Sequence, residues 1–465
     1  MRKLNRSPHS LRVFQISVLV TALLITVGIA PAQSAVPHLG YGFNVAALDT
    51  ARLTAMGFNW IKIFEVPPAN LPQTILLRVE ANSAVSVSEL LADLDNKLNY
   101  LNTHSINVAA WEIGNEPNID ASYGWGTTPN VAAYKDRLCA AYTKIKGQQP
   151  DAIVVSAGLA PVGRLTNSHQ IDDREFVAQL LDSGGGTCLD AVGYHPYGYS
   201  ADFDAAPDVA SADPTQNCVQ GFCFRGAEKI YEIMQAHGAG DKKLWATEFG
   251  WITAPPDNCL GDPSWSGRQW QIVTDEKQAS NLVGAFQYAE ANWPWMGAMF
   301  IFNLNFNEPG LHPECEQMRF YAVQGHAAES ALTAMPKNPA TIAGRLRTTT
   351  TKLTWLVDVD QQPVDLPGSV DIANWGWGSV VYTATVNNSA DVVPVIANPT
   401  GSLSPTAQSW INFNIAGFTH TLGTYTGTLT LNWFATGAGN NPRTVALEVR
   451  VLPDVQRVFL PLIMR

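Results

Sequence analysis

Two short runs place glutamates where apolar stretches end, and both could carry acid–base chemistry. WEIGNEPNI (111–119) contains Glu112 and Glu116, four residues apart, and ATEFGW (246–251) ends a second apolar run with Glu248. In a β-strand, side chains alternate between faces, so Glu112 and Glu116 would point the same way. Two carboxylates that converge on one cavity are the groups that cleave acetal bonds between sugars.

The surrounding pattern predicts the elements that position these glutamates. From residue 38 to about 305, short apolar runs alternate with amphipathic stretches. The predicted strands are 40–46, 59–65, 74–80, 108–116, 152–160, 189–197, 243–251 and 297–305, and the predicted helices are 86–102, 131–147, 173–182, 224–237 and 275–292. Strands separated by helices of this length predict right-handed βαβ units and a parallel sheet.

Eight such strands match a closed (β/α)8 TIM barrel, an α/β fold. The connection 65–74 is short for a helix, which makes the second crossover the weakest part of this prediction. A doubly wound open sheet is the alternative, although no G-x-G-x-x-G follows the first strand. In a barrel, the carboxyl ends of the strands form the active site, so Glu116 and Glu248 would face each other across its opening.

The expected separation of the two carboxylates bears on the chemistry. A pair that retains configuration stands about 5–5.5 Å apart. At that distance, ionisation of both carboxyl groups is energetically unfavourable. The pKa of one group is therefore raised, and that group can donate a proton. The alternative is that Glu116 and Glu248 are structural glutamates held in buried ion pairs.

WEIGNEPN, YHPYG and ATEFGW together resemble clan A of the glycoside hydrolases, and are most similar to family thirty-nine and its relatives. The resemblance spans about residues 38 to 330. It implies that Glu116 is the acid/base and Glu248 the nucleophile. It also implies a retaining glycosidase that cleaves β-glycosidic bonds of a poly- or oligosaccharide by double displacement, with no cofactor.

The same resemblance assigns roles to three neighbours. Asn115 would hydrogen-bond the 2-hydroxyl of the sugar, while His195 and Tyr197 would contact the catalytic carboxylates, Tyr197 donating to Glu248. Two less specific roles remain open. Asn115 could be a turn asparagine, and His195 could be a core histidine bonded to the backbone.

The source of positive charge near the nucleophile is a departure from the clan. Many members carry an arginine near the end of the second strand, whereas NWIKIFE provides Lys62. Arg78 on the third strand is the other candidate. A lysine cannot make the two-pronged contact of an arginine. Glu112, one layer deeper, is expected to be structural and needs one of these two cations.

Aromatic residues in the loops could stack on sugar rings, because their faces are flat and apolar. The candidates in the barrel loops are Trp125, Trp251, Trp265 and Trp270. The alternative for each is simple packing. In the C-terminal region, Trp375 and Trp377 of NWGWG form either a carbohydrate platform or part of the core, and the core is favoured.

The N-terminus predicts export. A basic start, an apolar run (13–30) and the small residues APAQSA (30–35) have the layout of a signal peptide covering 1–35. An uncleaved membrane anchor is the alternative. The chain is therefore expected to be secreted or on the extracellular surface.

The six cysteines agree with an oxidising compartment, although six cysteines allow fifteen pairings. Cys218 and Cys223 are close enough for a local loop, and Cys259 with Cys315 could tie two long loops together. Cys139 with Cys188 follows by elimination. No C-x2-C pair is present, so a zinc site is not predicted.

After the barrel (36–335) the pattern changes. Residues 336–350 are typical of a linker, and 351–453 contain seven short alternating runs between Gly, Pro and Asn turns, which predicts an all-β immunoglobulin-like sandwich. An apolar tail, 454–465, follows. The sandwich loosely resembles modules appended to bacterial polysaccharide-degrading enzymes, which implies attachment to a cell surface or to polysaccharide.

The composition and the motifs of the chain argue against other functional classes. The net charge is −11 with no basic stripe, so nucleic acid is not an expected partner. A metal-dependent hydrolase would need an H-x-H or comparable ligand set at the strand ends, and the sequence lacks one. The remaining alternative is a non-catalytic carbohydrate-binding protein on a degenerate barrel, which would be expected to lose one of the two glutamates.

Overall fold

The computed structural model describes residues 37–340, 344, 346–348, 350–374, 379–387, 391–404, 407–435, 442–453 and 455. The predicted signal peptide, Trp375, Trp377 and all of the apolar tail except Val455 lie outside these residues. Among the described residues, no helix is long and apolar enough to cross a membrane.

Eight parallel strands close into a barrel in sequence order, as predicted. They are β1 (Gly40–Asn44), β2 (Trp60–Ile63), β3 (Thr74–Val79), β4 (Ala110–Ile113), β5 (Ile153–Ser156), β6 (Ala191–Tyr194), β7 (Lys243–Phe249) and β8 (Met296–Ile301). Strand β8 pairs with β1, so the sheet has no free edge. Each strand lies within one residue of its predicted run.

Eight helices accompany these strands. They are α1 (Thr50–Ala55), α2 (Val87–Thr103), α3 (Val131–Gln148), α4 (Asp173–Asp182), α5 (Gly226–Ala236), α6 (Asp257–Leu260), α7 (Asp275–Asn292) and α8 (Ala327–Ala334). The five long ones were predicted, whereas α1, α6 and α8 are too short to reveal an amphipathic period. No helix lies between β2 and β3, yet Trp60 and Thr74 begin a parallel register.

The barrel interior is layered, and this layering positions the site. At the amino-terminal end, Trp60, Trp245 and Phe300 pack edge-on or stacked and fill the interior. Because strand side chains alternate, the next inward position after Trp60 is Lys62, and the next after Trp245 is Thr247. A polar layer that includes Lys62 and Thr247 therefore lies next to the aromatic side chains that fill the amino-terminal end of the barrel.

The C-terminal region is all-β, as predicted. Its strands are β9 (Leu346–Arg347), β10 (Lys352–Asp358), β11 (Val364–Asn374), β12 (Val380–Val386), β13 (Val395–Ile396), β14 (Thr400–Leu403), β15 (Gln408–Phe418), β16 (Gly423–Phe434) and β17 (Arg443–Leu452). A five-stranded sheet (β10-β17-β16-β12-β14) and a four-stranded sheet (β13-β15-β11-β9) share one hydrophobic core. The pair β10–β17 is parallel and the others are antiparallel. The immunoglobulin-like likeness stays a prediction.

Polar contacts join this region to the barrel. Arg443 at the start of β17 forms an ion pair with Asp151. Arg347 in β9 donates to the carbonyl of Gln148 at 2.5 Å. Both barrel residues lie at or just after the end of α3.

Three disulfides are present, and their pairing is the one expected from the sequence. They join Cys139 to Cys188, Cys218 to Cys223, and Cys259 to Cys315. The first links α3 to the segment before β6. The third links the loop after β7 to the loop after β8.

Candidate active site

Glu116 is held by an unusual turn at the end of β4. Gly114 has φ +88° and Glu116 has φ +39°, a region that costs a residue with a side chain on the order of 1–3 kcal/mol. The amide of Glu116 donates to the carbonyl of Gly158 at 3.0 Å, which fixes the turn. Backbone strain of this kind is concentrated at functional sites.

Glu248 comes from the end of β7, and His195, just after β6, connects it to Glu116. His195 Nδ1 lies 2.8 Å from Glu116 Oε1 and 3.8 Å from Glu248 Oε2. Those two sides of a triangle place the two carboxylate oxygens within about 7 Å of each other, near the range for paired glycosidase carboxylates. The residues are 8% and 7% exposed.

A buried lysine links Glu248 to the deeper glutamate. Lys62 Nζ lies 2.7 Å from Glu112 Oε2 and 3.1 Å from Glu248 Oε1. It also donates to the carbonyl of Thr247 at 3.3 Å. Lys62 and Glu112 are fully buried, so each charge relies on the other for compensation. The sequence left open whether Lys62 or Arg78 provides the positive charge beside Glu112 and Glu248. The structure places Lys62 in contact with both carboxylates.

Arg78 lies further from Glu248 than Lys62 does. Its guanidinium makes an ion pair with Glu80 at 2.5 Å and lies 4.7 Å from the ring centroid of Phe64. Its charge still contributes to the electrostatic environment of Glu248. Both predicted cations therefore act on Glu248. Lys62 contacts its carboxylate directly, and Arg78 acts on it through its charge at longer range.

These groups hold Glu248 ionised. Burial is the largest single influence and would raise the pKa of its carboxyl group. The charges of His195 and Lys62, a hydrogen bond from the Tyr197 hydroxyl at 2.8 Å, and the charge of Arg78 together outweigh burial. They lower the pKa of Glu248 to about 2. A carboxylate in this state can act as a nucleophile.

His195 occupies a space that only glycine permits. A Cβ on Gly158 would lie 2.1 Å from His195 Nε2 and 2.5 Å from Thr247 Oγ1. Nε2 and Oγ1 are both buried, and neither has a hydrogen-bond partner among the described residues. The ring is therefore oriented through Nδ1, which faces the carboxylates of Glu116 and Glu248.

Asn115 lies within the strained turn, between Gly114 and Glu116, and is oriented by the loop that follows. Its Nδ2 donates to the carbonyl of Tyr123 at 2.9 Å, and its Oδ1 is buried without a partner in the described residues. The amide lies beside Glu116 in the chain. Its contact with a sugar hydroxyl stays a prediction.

The structure does not place Trp125 and Trp251 where a sugar could stack. Trp125 is 3% exposed and packs against Tyr134 and the guanidinium of Arg137. Trp251 is fully buried and donates from Nε1 to the carbonyl of Ala201 at 2.7 Å. Position in a loop predicted access, but both indoles turn inward because packing buries more apolar area. Trp265 is buried as well.

Several aromatic residues near the carboxylates were not predicted. Tyr197 packs edge-on against Phe302 and Tyr321, with ring centroids 6.0 Å and 5.3 Å away. Burial raises the pKa of Tyr321, and the charges of Glu116 and Glu248 raise it further. Phe302 follows β8 directly, so its place at a strand end was a usable signal. Tyr321 lies in a long loop and had none.

Among the described residues, no group of three or more His, Cys, Asp and Glu could hold a metal ion. The charged groups that converge at the site are Glu116 and Glu248, with His195 between them, and Lys62, which joins Glu248 to the fully buried Glu112. Such an arrangement provides one ionised carboxylate and a second carboxyl group close to it. It is suited to proton transfer combined with nucleophilic attack.

No model of a known protein family matches the sequence, and no curated protein matches it either. Three of the solved structures that are similar to this chain are named as glycoside hydrolases. An endo-β-1,3-glucanase of GH128 subgroup II from Sorangium cellulosum has TM-score 0.43 and 15% identity, covering 64% of this chain and 99% of that one. A subgroup I enzyme from Amycolatopsis mediterranei, in complex with laminaritriose, has TM-score 0.40 and 16% identity, covering 64% and 100%.

The third is a β-glucuronidase from Bacteroides uniformis, with TM-score 0.41 and 12% identity. The match covers 87% of this chain and 43% of that one. The likeness to family thirty-nine stays a prediction.

Proposed function

We propose that this protein is a retaining glycoside hydrolase that cleaves β-glycosidic bonds of a poly- or oligosaccharide. The observation that carries the proposal is the environment of two glutamates from distant parts of the chain. Glu116 and Glu248 both contact His195 Nδ1 or lie within 4 Å of it, at the carboxyl ends of β4 and β7. Both are mostly buried but keep a small exposed fraction, 8% for Glu116 and 7% for Glu248.

Glu248 is the nucleophile in this proposal. Its pKa of about 2 keeps it ionised across the ordinary pH range. Its two oxygens are oriented separately, one by Lys62 and the other by Tyr197. Each oxygen has more than one lone pair, so neither contact has to break before the carboxylate attacks an anomeric carbon.

Glu116 is the acid/base. In the first step, Glu248 attacks the anomeric carbon, the bond to the leaving oxygen breaks, and Glu116 gives that oxygen its proton. In the second step, Glu116 takes a proton from water, the water oxygen attacks the same carbon, and the ester to Glu248 breaks. Two inversions give net retention of configuration.

The direct test is covalent trapping. The protein is incubated with 2,4-dinitrophenyl 2-deoxy-2-fluoro-β-glycosides of several sugars, and the labelled peptide is identified by mass spectrometry. We expect a glycosyl ester on Glu248. Glu248→Ala should lose turnover by several orders of magnitude and regain part of it with azide, forming a glycosyl azide.

Glu116→Ala should slow unactivated substrates far more than dinitrophenyl glycosides, because only poor leaving groups need the proton. Glu276→Gln is the matched control, since Glu276 is an exposed glutamate in the first turn of α7. Hydrolysis with inverted product stereochemistry by NMR would contradict the retaining mechanism, and a label on another residue would contradict the assignment of Glu248.

A non-catalytic carbohydrate-binding protein is the competing proposal. It predicts that a panel of β-linked glucans, xylans, galactans and mannans is bound but never cleaved. The unbroken set of charged contacts around Glu248 favours the enzyme, because a buried and compensated carboxylate has no evident role in simple sugar binding. We also propose export of the chain, which the three disulfides support.

A further inference from the structure

We propose that Trp270, supported by Tyr199 and Phe222, is a stacking platform for a sugar unit beyond those at the cleaved bond. The proposal deepens the glycosidase function and rests on it. It names the substrate class as an oligo- or polysaccharide whose pyranose rings present an apolar C–H face.

Trp270 is exposed in a way that the other loop tryptophans are not. Its residue is 48% exposed, whereas Trp125, Trp251 and Trp265 are at most 3% exposed. One side of its indole stacks on Tyr199, with ring centroids 5.5 Å apart and an interplanar angle of 11°. A parallel stack of this kind covers one face and leaves the other face available.

Phe222 completes the platform from another loop. Its ring lies 5.6 Å from that of Trp270 and 4.8 Å from that of Tyr199. A Cβ on Gly163 would lie 3.0 Å from the Phe222 ring, so the loop after β5 supports it from below. Three aromatic rings from two loops thus form one apolar surface.

Both loops are braced, which fixes the orientation of the rings. Phe222 is next to the Cys218–Cys223 disulfide. The segment that carries Trp270 is anchored through the Cys259–Cys315 disulfide, and the Trp265 indole donates to the carbonyl of Cys315 at 2.9 Å. A fixed aromatic surface loses little conformational entropy when a ligand binds.

The platform is continuous with the catalytic centre. The Tyr197 hydroxyl donates to Glu248, the Tyr197 ring lies 6.5 Å from that of Tyr199, and Tyr199 stacks on Trp270. The pKa of Tyr199 is raised mainly by burial, and the charge of Glu116 contributes. The rings therefore lead outward from the nucleophile in steps of about one sugar ring.

An oligosaccharide is the occupant that fits this surface. A chain held at the carboxylates must leave the cavity, and the aromatic rings cover one route by which it can do so. β-Linked pyranoses with equatorial hydroxyls present axial C–H bonds to a flat aromatic face, which the indole can bury. Arg268, exposed two residues before Trp270, provides donors for sugar hydroxyls beside the rings.

The test compares two substrates of the same sugar in the full-length protein: a 4-nitrophenyl monoglycoside and a 4-nitrophenyl tetrasaccharide glycoside. Trp270→Ala should lower kcat/KM for the tetrasaccharide about ten-fold, mainly through KM, and leave the monoglycoside within two-fold. Trp270→Phe should restore part of the loss. Trp410→Ala is the matched control, because Trp410 is 57% exposed but lies in β15.

Two outcomes would overturn the platform: an equal loss of activity on both substrates, or no loss on either. Affinity electrophoresis of the wild type and Trp270→Ala in gels containing soluble β-glucan or xylan separates this result from failure of the proposed activity. If the wild type hydrolyses nothing but Trp270→Ala loses retardation, the platform stands and the glycosidase does not. If hydrolysis occurs and retardation is unchanged, the platform is wrong.

Discussion

Replacing Lys62 with methionine tests the buried charge network that Lys62 forms with Glu112 and Glu248. The change keeps an unbranched side chain, one atom shorter, but removes the cation that lies 2.7 Å from Glu112 and 3.1 Å from Glu248. At an effective dielectric constant of about 20, each contact contributes roughly 5–6 kcal/mol of gross attraction. Desolvation offsets much of this, and loss of one partner of a buried pair typically costs about 3–5 kcal/mol. We expect a loss of stability in that range near neutral pH.

The variant should also shift the pH dependence of activity. Because Lys62 is one of the charges that lower the pKa of Glu248, its removal should move the acid limb of kcat/KM upward by roughly one unit or more. The stability deficit should shrink as pH falls, since protonation neutralises the carboxylates that have lost their cation.

Denaturant unfolding at several pH values and kcat/KM profiles with an activated aryl glycoside measure both effects. Lys97→Met is the control, because Lys97 pairs with Asp93 in α2 and such a pair contributes about 1 kcal/mol or less. The double variant Lys62→Met with Glu112→Gln should recover part of the stability and keep the experiment informative if the single variant folds poorly. An unchanged acid limb together with a loss below about 1 kcal/mol would refute the network's role.

Three further outcomes follow from the same contacts. Acidification from pH 4.5 to about pH 2 should remove about 3 kcal/mol of folding stability, because the lowered pKa of Glu248 stabilises the folded state above that interval. If the unfolding midpoints of the wild type and of Glu248→Gln fell by the same amount over this interval, the prediction would be contradicted. Gly158→Ala should displace His195 and cut turnover at least ten-fold, measured against an unchanged Gly147→Ala, since nothing lies within 4 Å of a Cβ at 147. Replacing Cys139 and Cys188 by alanine should cost about 4 kcal/mol for the loop they close, and an unchanged melting temperature would disprove that.

Much of the architecture was readable from the chain because local patterns repeat. Eight apolar runs separated by helical periods leave few topologies other than a closed barrel. The all-β C-terminal region was equally legible from its alternation and turn residues. The short helices α1, α6 and α8 and the strands β9 and β14 were missed, because segments of two to eight residues carry too few positions to define a period.

The candidate site also contains some residues that could be predicted from the sequence and others that could not. Glu116 and Glu248 could be selected from sequence because each acidic residue ends an apolar strand, where burial demands a reason. Whether a loop residue faces the cavity has no such signal. Trp251 and Trp270 lie in the same loop, yet one is fully buried and the other is 48% exposed.

The sequence by itself determined which strand ends carry carboxylates, since that depends only on the order of residues along the chain. Tertiary structure alone decided that Lys62 sits between two acids and that Tyr199 and Phe222 support Trp270. These contacts join loops and strands far apart in sequence, and their geometry depends on how every intervening side chain packs. That is the physical reason why periodicity could predict the barrel but not the surface that surrounds its opening.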